Sequence, residues 1–356
     1  MSLSVHIEKR LGAFQLNVQF STSHELLALL GASGCGKSVT LRCIAGLMTP
    51  DRGRIALNGR VLYDSQAGIN LPPQQRRVGY LFQSCALIPH MTVLQNVELG
   101  FHSLPRARRR QAALAQLERF RLEPLAGQYP ASLSGGEQQR TALARTLAAA
   151  PEALLLDEPF SALDDYLKWS LELELAQTLE AYGGDVLLVS HSRDEVCRLA
   201  KSVCVLDRGR SEPVQTVAHL MTDPGTLGAA LISGCKNLSP ARVLEDGRVF
   251  CPDWGWTLPA LPVPPGFSTV GIRAHSLRLG PGPVCLDCVT ERVMDNVSSY
   301  ILMLRTPGGG LLRMECDKST PLPPLGAPVT VHTNPEEILL LTESQSNDSH
   351  SAAQHP

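Results

Sequence analysis

Along the first 232 or so residues, short runs of unbroken apolar character alternate with amphipathic stretches. Residues 25–30 (ELLALL), 153–156 (ALLL) and 186–189 (VLLV) show no polar alternation. A strand with one wet face alternates, whereas one covered on both faces does not, so these runs predict central strands of a parallel sheet. Leu41, Ile44 and Leu47 recur at helical spacing after the first run. Strand runs separated by helices predict an α/β body.

Two further regions break this pattern. Between about residues 84 and 150 strand signals are few, and residues 106–121 are rich in Arg, Ala, Leu and Gln, all good helix formers. A helical subdomain inserted into the α/β body is predicted there. From residue 233 to 343, Pro and Gly cluster at 256–266 (WTLPALPVPPG) and 280–283, and short β-type runs stand at 270–273, 300–305 and 328–332. That spacing predicts a small all-β barrel or sandwich. Residues 344–356 are polar and are expected to form a disordered tail.

Composition adds exclusions. The chain has 356 residues, 32 basic and 34 acidic, for a formal charge of −2. That balance advertises neither a nucleic acid nor an anionic membrane as partner. No run approaches the 18 apolar residues of a membrane span, and the N-terminal stretch lacks the apolar run of a secretion signal. The 10 cysteines form no repeating framework and are expected to be reduced thiols; Cys43, Cys197 and Cys204, in apolar runs, are expected in cores. Cys285 and Cys288 form a C-x-x-C without a second pair, which reads as neighbouring strand positions rather than a zinc site.

Three segments carry chemistry. Gly31, Ala32, Ser33, Gly34, Cys35, Gly36, Lys37 and Ser38 match G-x-x-x-x-G-K-[ST] between a predicted strand and a predicted helix. Backbone N–H groups of such a loop curl around phosphates, and the helix N-terminus adds partial positive charge. Lys37 is placed for the β- and γ-phosphates and Ser38 for Mg²⁺. Asp157 and Glu158 follow the apolar run at 153–156, at the strand edge where open α/β sheets hold ligands. Asp157 suits the Mg²⁺ shell through water, and Glu158 suits polarisation of an attacking water. Third, Ser134 and Glu137 form an S-x-x-E capping box that opens a helix running through residues 142–149. Gly135 and Gly136 leave its first N–H groups open to an anion.

Residues 133–140 (LSGGEQQR), with the phosphate loop and residues 154–159 (LLLDEP), resemble the signature set of ABC-type ATPases over about the first 230 residues. The resemblance implies a P-loop NTPase that binds ATP and Mg²⁺. Gln83 matches the glutamine that touches Mg²⁺ and the transport subunit, Asp164 ends a D-loop begun by Ser161, and His191 matches the switch histidine at the γ-phosphate. Catalysis would then rest on Glu158, His191 and Gln83, and the metal on Ser38, Gln83 and Asp157. Two copies would meet head to tail, each phosphate loop facing Ser134, Gly135 and Gly136 of the other. Where the family usually stacks adenine on an aromatic side chain, this sequence has Leu11, with Phe14 the nearest ring.

The domain layout is similar to bacterial importer ATPases with a C-terminal OB-like (TOBE-type) domain, including Gly271-Ile-Arg273 and Leu277-Arg-Leu279. Residues 57–64, 68–73 and 76–83 resemble molybdate-importer ATPases, and sulfate, polyamine and sugar importers share parts of them. What this implies is oxyanion uptake, molybdate first, with tungstate, sulfate, polyamine or sugar as alternatives and a soluble ABC regulatory ATPase behind them. The implied partners are a second copy, two integral-membrane permease subunits and, indirectly, an extracytoplasmic substrate-binding protein, with no nucleic acid. The implied place is the cytoplasmic face of the membrane. The apolar content of residues 76–95 (Leu81, Phe82, Leu87, Ile88, Met91) reads either as a docking surface for the permease or as plain core.

Overall fold

The computed structural model describes residues 2–22, 24–161 and 165–343. Asp164 and the tail at 344–356 lie outside the described residues. Contacts divide the chain into two compact units, meeting at residues 217 and 218.

The first unit begins with two long alternating strands, β1 (Leu3–Leu11) and β2 (Phe14–Thr22), paired antiparallel. Leu3, Val5 and Ile7 point inward while their neighbours face water. Next come β3 (Leu26–Leu30), α1 (Lys37–Ala45), β4 (Arg52–Leu57), β5 (Arg60–Asp64), β6 (Ile69–Asn70), α2 (Pro73–Arg76) and β7 (Val78–Leu81). The helical stretch follows as α3 (Val93–Glu98), α4 (Arg106–Arg119) and α5 (Gly135–Ala148), and the unit closes with β8 (Ala153–Asp157), α6 (Asp165–Tyr182), β9 (Asp185–Ser190), α7 (Arg193–Leu199), β10 (Ser202–Asp207), β11 (Arg210–Ser211) and β12 (Gln215–Thr216). One sheet runs β6-β5-β4-β1-β2-β11-β10-β3-β9-β8-β7. Its β10-β3-β9-β8-β7 half is parallel throughout. The unbroken apolar runs are its central strands, and every residue of β8 and β9 is buried. Each leucine there removes enough apolar surface from water to contribute about 1.5–3 kcal/mol.

Two expectations meet a local correction. Leu47 lies beyond α1 and is 50% exposed, because Gly46 adopts φ 79° and its N–H closes the helix on the Arg42 and Cys43 carbonyls. Cys197 is exposed on α7, whereas Cys43 and Cys204 are buried as expected. The end of α1 is fixed from outside the helix by the fully buried Arg76. Its guanidinium donates to the carbonyls of Cys43, Ile44 and Leu71 and to Asn70 Oδ1. Of the residues at 76–95, Leu81 is core while Phe82, Ile88 and Met91 are half-buried.

The second unit is rich in antiparallel strands. Asn237–Pro240, Phe267–Ile272 and Ile338–Thr342 form one sheet, and Arg242–Val243, Arg248–Cys251 and Trp256–Ala260 a second. A five-stranded sheet orders Arg278–Leu279, Pro328–Thr333, Val284–Asp295, Ser299–Arg305 and Leu311–Asp317. Trp254, Trp256, Ile272, Leu286, Leu302 and Val331 belong to its core. The helix Leu227–Ile232 belongs to this unit: Ala230 is buried with Cys235, Leu339 and Leu341. Cys285 and Cys288 lie on one strand and on opposite faces, the first exposed and the second buried. No described helix is long and apolar enough to cross a membrane.

Candidate nucleotide site

The loop from Gly31 to Gly36 joins the C-terminal edge of β3 to α1. Its shape requires glycine. Gly34 and Gly36 have φ of 81° and 108°, and a Cβ on Gly36 would stand 2.4 Å from Leu16 Cδ1 and 3.1 Å from Phe14 Cζ. At Gly31 a Cβ would meet the Leu206 carbonyl oxygen at 2.4 Å, so β10 runs directly against the loop. Cys35 is buried in the core beneath, while Ala32, Ser33 and Gly34 are exposed at the tip. Lys37 is buried, and its ammonium donates to the carbonyls of Gly31 at 2.7 Å and Ala32 at 3.0 Å. The first α1 amides and the Lys37 ammonium thus gather positive charge around one loop, an arrangement suited to phosphate.

Asp157 ends β8 beside the start of α1. Ser38 Oγ donates to its Oδ1 at 2.8 Å, and the Tyr80 hydroxyl on β7 donates to its Oδ2 at 2.7 Å. Burial, with the hydrogen bond to Asp157 added, pushes the Tyr80 hydroxyl well above the ordinary phenol range, so it remains a donor. The Ser38 hydroxyl and the Asp157 carboxylate are hard oxygen donors, the chemistry Mg²⁺ selects.

Glu158 turns the chain sharply, with φ 46°. For a non-glycine residue this costs about 1–2 kcal/mol, and surrounding bonds hold it. Its N–H donates to the Val189 carbonyl, and its own carbonyl accepts from Ser161 through both N–H and Oγ. The turn carries the Glu158 carboxylate to 3.3 Å from His191 Nδ1, at the end of β9. Gln83 Nε2 donates to Ser161 Oγ at 3.0 Å, so Gln83, Ser161 and Glu158 form one chain of contacts. A carboxylate beside an imidazole at a strand edge can accept a proton from water.

Ser134, Gly135 and Gly136 stand apart from these contacts. The capping box is formed in both directions: Ser134 N–H and Oγ donate to Glu137 Oε2 at 2.7 and 2.8 Å, and Glu137 N–H donates back to Ser134 Oγ. Those bonds hold the Glu137 carboxyl below its usual range. At Gly136 a Cβ would meet Leu171 Cδ1 at 2.9 Å, which pins the start of α5 against α6. Leu11 is 38% exposed where β1 turns into β2, opposite Phe14, whose half-buried ring lies against Gly36 and Gly209.

Two groups escaped the sequence reading. Tyr80 gave no signal beyond an aromatic residue in a short strand, since its partner lies 77 positions away. Ser190 and Lys168 both bind the buried Glu195, bracing the strand end that carries His191. The S-x-x-E spacing of Ser192 and Glu195 was the available hint, and Ser192 does accept from the Glu195 N–H.

Comparison with known proteins gives the family. Residues 15–161 match the ABC transporter family. The molybdenum import ATP-binding protein ModC of Paramagnetospirillum magneticum is 43% identical over 257 residues, covering 69% of this chain and 71% of that protein. The Fe(3+) ions import ATP-binding protein FbpC of Haemophilus influenzae is 38% identical, covering 66% and 67%. The sulfate/thiosulfate import ATP-binding protein CysA of Bradyrhizobium diazoefficiens is also 38% identical, covering 72% and 74%. Among solved structures, the dimeric post-hydrolysis state of the ATP-binding cassette MJ0796 bound to ADP and Pi superposes with a TM-score of 0.52 at 30% identity, covering 61% of this chain and 99% of that one. The chain belongs to the ABC transporter family, as an ATP-hydrolysing subunit of the importer type.

Proposed function

We propose that this subunit couples ATP hydrolysis to uptake of an oxyanion, with molybdate the substrate. The observation that supports the chemistry best is the pair of contacts at adjacent residues, Ser38 to Asp157 at 2.8 Å and His191 to Glu158 at 3.3 Å, at the edge that also holds the phosphate loop. Lys37 leaves the Gly31 and Ala32 carbonyls to bind the β- and γ-phosphates, and the loop amides from Gly31 to Gly36 cradle them. Ser38, Gln83 and Asp157 would hold Mg²⁺, which would supply positive charge against the phosphates. Glu158 takes the proton of the attacking water, and His191 steadies Glu158 and the γ-phosphate. Little covalent work falls to the protein, so catalysis is positioning and electrostatics. Phosphate contacts carry most of the nucleotide affinity.

A second copy completes the site. The capped start of α5 offers the N–H groups of Gly135 and Gly136 and the Ser134 hydroxyl to the other subunit's γ-phosphate. Two integral-membrane permease subunits bind this dimer at the cytoplasmic face, receiving their contact from the half-exposed Phe82, Ile88 and Met91. An extracytoplasmic binding protein delivers substrate to them. The β-rich part of the second unit, residues 233–343, serves as an OB-like regulatory module. Molybdate is supported by the 43% identity to a molybdenum import protein, against 38% for proteins named for Fe(3+) and sulfate/thiosulfate. The test is ATPase activity of the assembled transporter with molybdate, tungstate, sulfate or Fe(3+). Stimulation by molybdate and tungstate alone is expected; stimulation by sulfate or iron alone refutes the assignment.

A further inference from the structure

Asp157 is 5% exposed and has two oxygens to satisfy. Ser38 supplies one hydrogen bond and Tyr80 the other. Tyr80 stands on β7, which pairs in parallel register with β8, Tyr80 opposite Leu155 and Leu81 opposite Leu156. Its ring lies 4.3 Å from that of Phe82, the residue before Gln83. Arg42 of α1 faces the same hydroxyl. Tyr80 therefore touches both the carboxylate beside the phosphate loop and the segment that leads to Gln83.

We infer that Tyr80 is a positioning residue for the metal, fixing the Asp157 carboxylate so that Oδ1 is presented on the Ser38 side. The inference rests on the reading of Asp157 as part of the Mg²⁺ shell. A carboxylate rotates easily about its last torsion, and one hydrogen bond leaves that rotation open. A second donor on Oδ2 closes it. Outer partners of metal-binding carboxylates typically change metal affinity 10- to 100-fold when removed. With Asp157 reaching the ion through water, the lower end, about tenfold, is expected.

Tyr80→Phe removes only the hydroxyl and keeps the ring contact with Phe82. The measurement is the equilibrium affinity of the full chain for a non-hydrolysable ATP analogue in excess Mg²⁺ and in EDTA. The ratio of the two affinities reports the coupling between metal and nucleotide. Tyr80→Phe should cut this ratio about tenfold while affinity in EDTA and the melting temperature of the nucleotide-free chain stay unchanged. An unchanged ratio overturns the inference. So does an equal loss with and without metal, which would mark Tyr80 as merely structural. Asp157→Asn, run alongside, separates the two levels. If it keeps the full ratio, the metal reading of Asp157 fails; if it loses the ratio and Tyr80→Phe keeps it, only the role of Tyr80 fails.

Discussion

Replacing Arg76 by Met should unseat the end of the phosphate-loop helix. The native guanidinium is fully buried and makes four hydrogen bonds, to the carbonyls of Cys43, Ile44 and Leu71 and to Asn70 Oδ1. The Cys43 carbonyl keeps a second donor in the Gly46 N–H. The other three acceptors lose the donor that Arg76 supplies. At roughly 1–3 kcal/mol for each such buried group, the gross loss is about 3–9 kcal/mol. A cation at the C-terminus of α1 adds about 1 kcal/mol through the helix dipole. Against this, burial itself disfavours the charge, holding the Arg76 pKa below its ordinary value, and Met removes that penalty. The net prediction is about 3 kcal/mol of destabilisation, toward the lower end of the gross range. For a unit of this size that lowers the melting temperature by about 6–12 °C, read by thermal unfolding of the nucleotide-free chain. Nucleotide affinity at a temperature where the variant is folded should also fall, because α1 carries Lys37 and Ser38. A shift under about 2 °C would refute the account of Arg76 as the outer cap of α1.

Gly36→Ala should abolish tight nucleotide binding, since its Cβ would stand 2.4 Å from Leu16 Cδ1 at a φ of 108°; a fluorescent-nucleotide titration showing less than about a tenfold loss, or 1.4 kcal/mol, would contradict the required loop shape. The Ser134–Glu137 cap predicts a pH effect. Hydrogen bonds from the Ser134 backbone and hydroxyl depress the Glu137 pKa, so the stability of the capped helix start is complete above the ordinary glutamate value of about 4.3 and is lost as pH falls through the depressed value. Hydrogen-exchange protection at the α5 N-terminus should fall over that acid window in the native chain, and Glu137→Gln should flatten the dependence; equal profiles would remove the cap from the account.

What the sequence disclosed was largely local. The runs at 25–30, 153–156 and 186–189 revealed their strands because burial on both faces leaves an unbroken apolar pattern. The Ser134–Glu137 cap was legible because its partners are three positions apart. The β1–β2 ribbon was overlooked although Leu3, Val5 and Ile7 alternate plainly with polar residues. Leu47 was misplaced because its spacing fits a helix that Gly46 ends first. Cys197 was misplaced because an apolar neighbourhood in sequence does not say which side of α7 faces water. Tyr80 and Arg76 stayed hidden for another reason: their partners lie 77 and about 33 positions away, joined only once the parallel sheet and α1 are assembled. Long-range polar pairs leave no period in a sequence, so the motifs were visible and their supports were not.

The central claim is a hydrolytic site with Glu158 as its base, completed by a second copy's Ser134. Analytical ultracentrifugation of Glu158→Gln with ATP and Mg²⁺, paired with a phosphate-release assay, tests it most directly. The account predicts an ATP-dependent dimer with turnover nearly abolished, and no such dimer when Ser134→Arg is added. Turnover at the wild-type rate in Glu158→Gln, or nucleotide-driven dimerisation that survives Ser134→Arg, would contradict it.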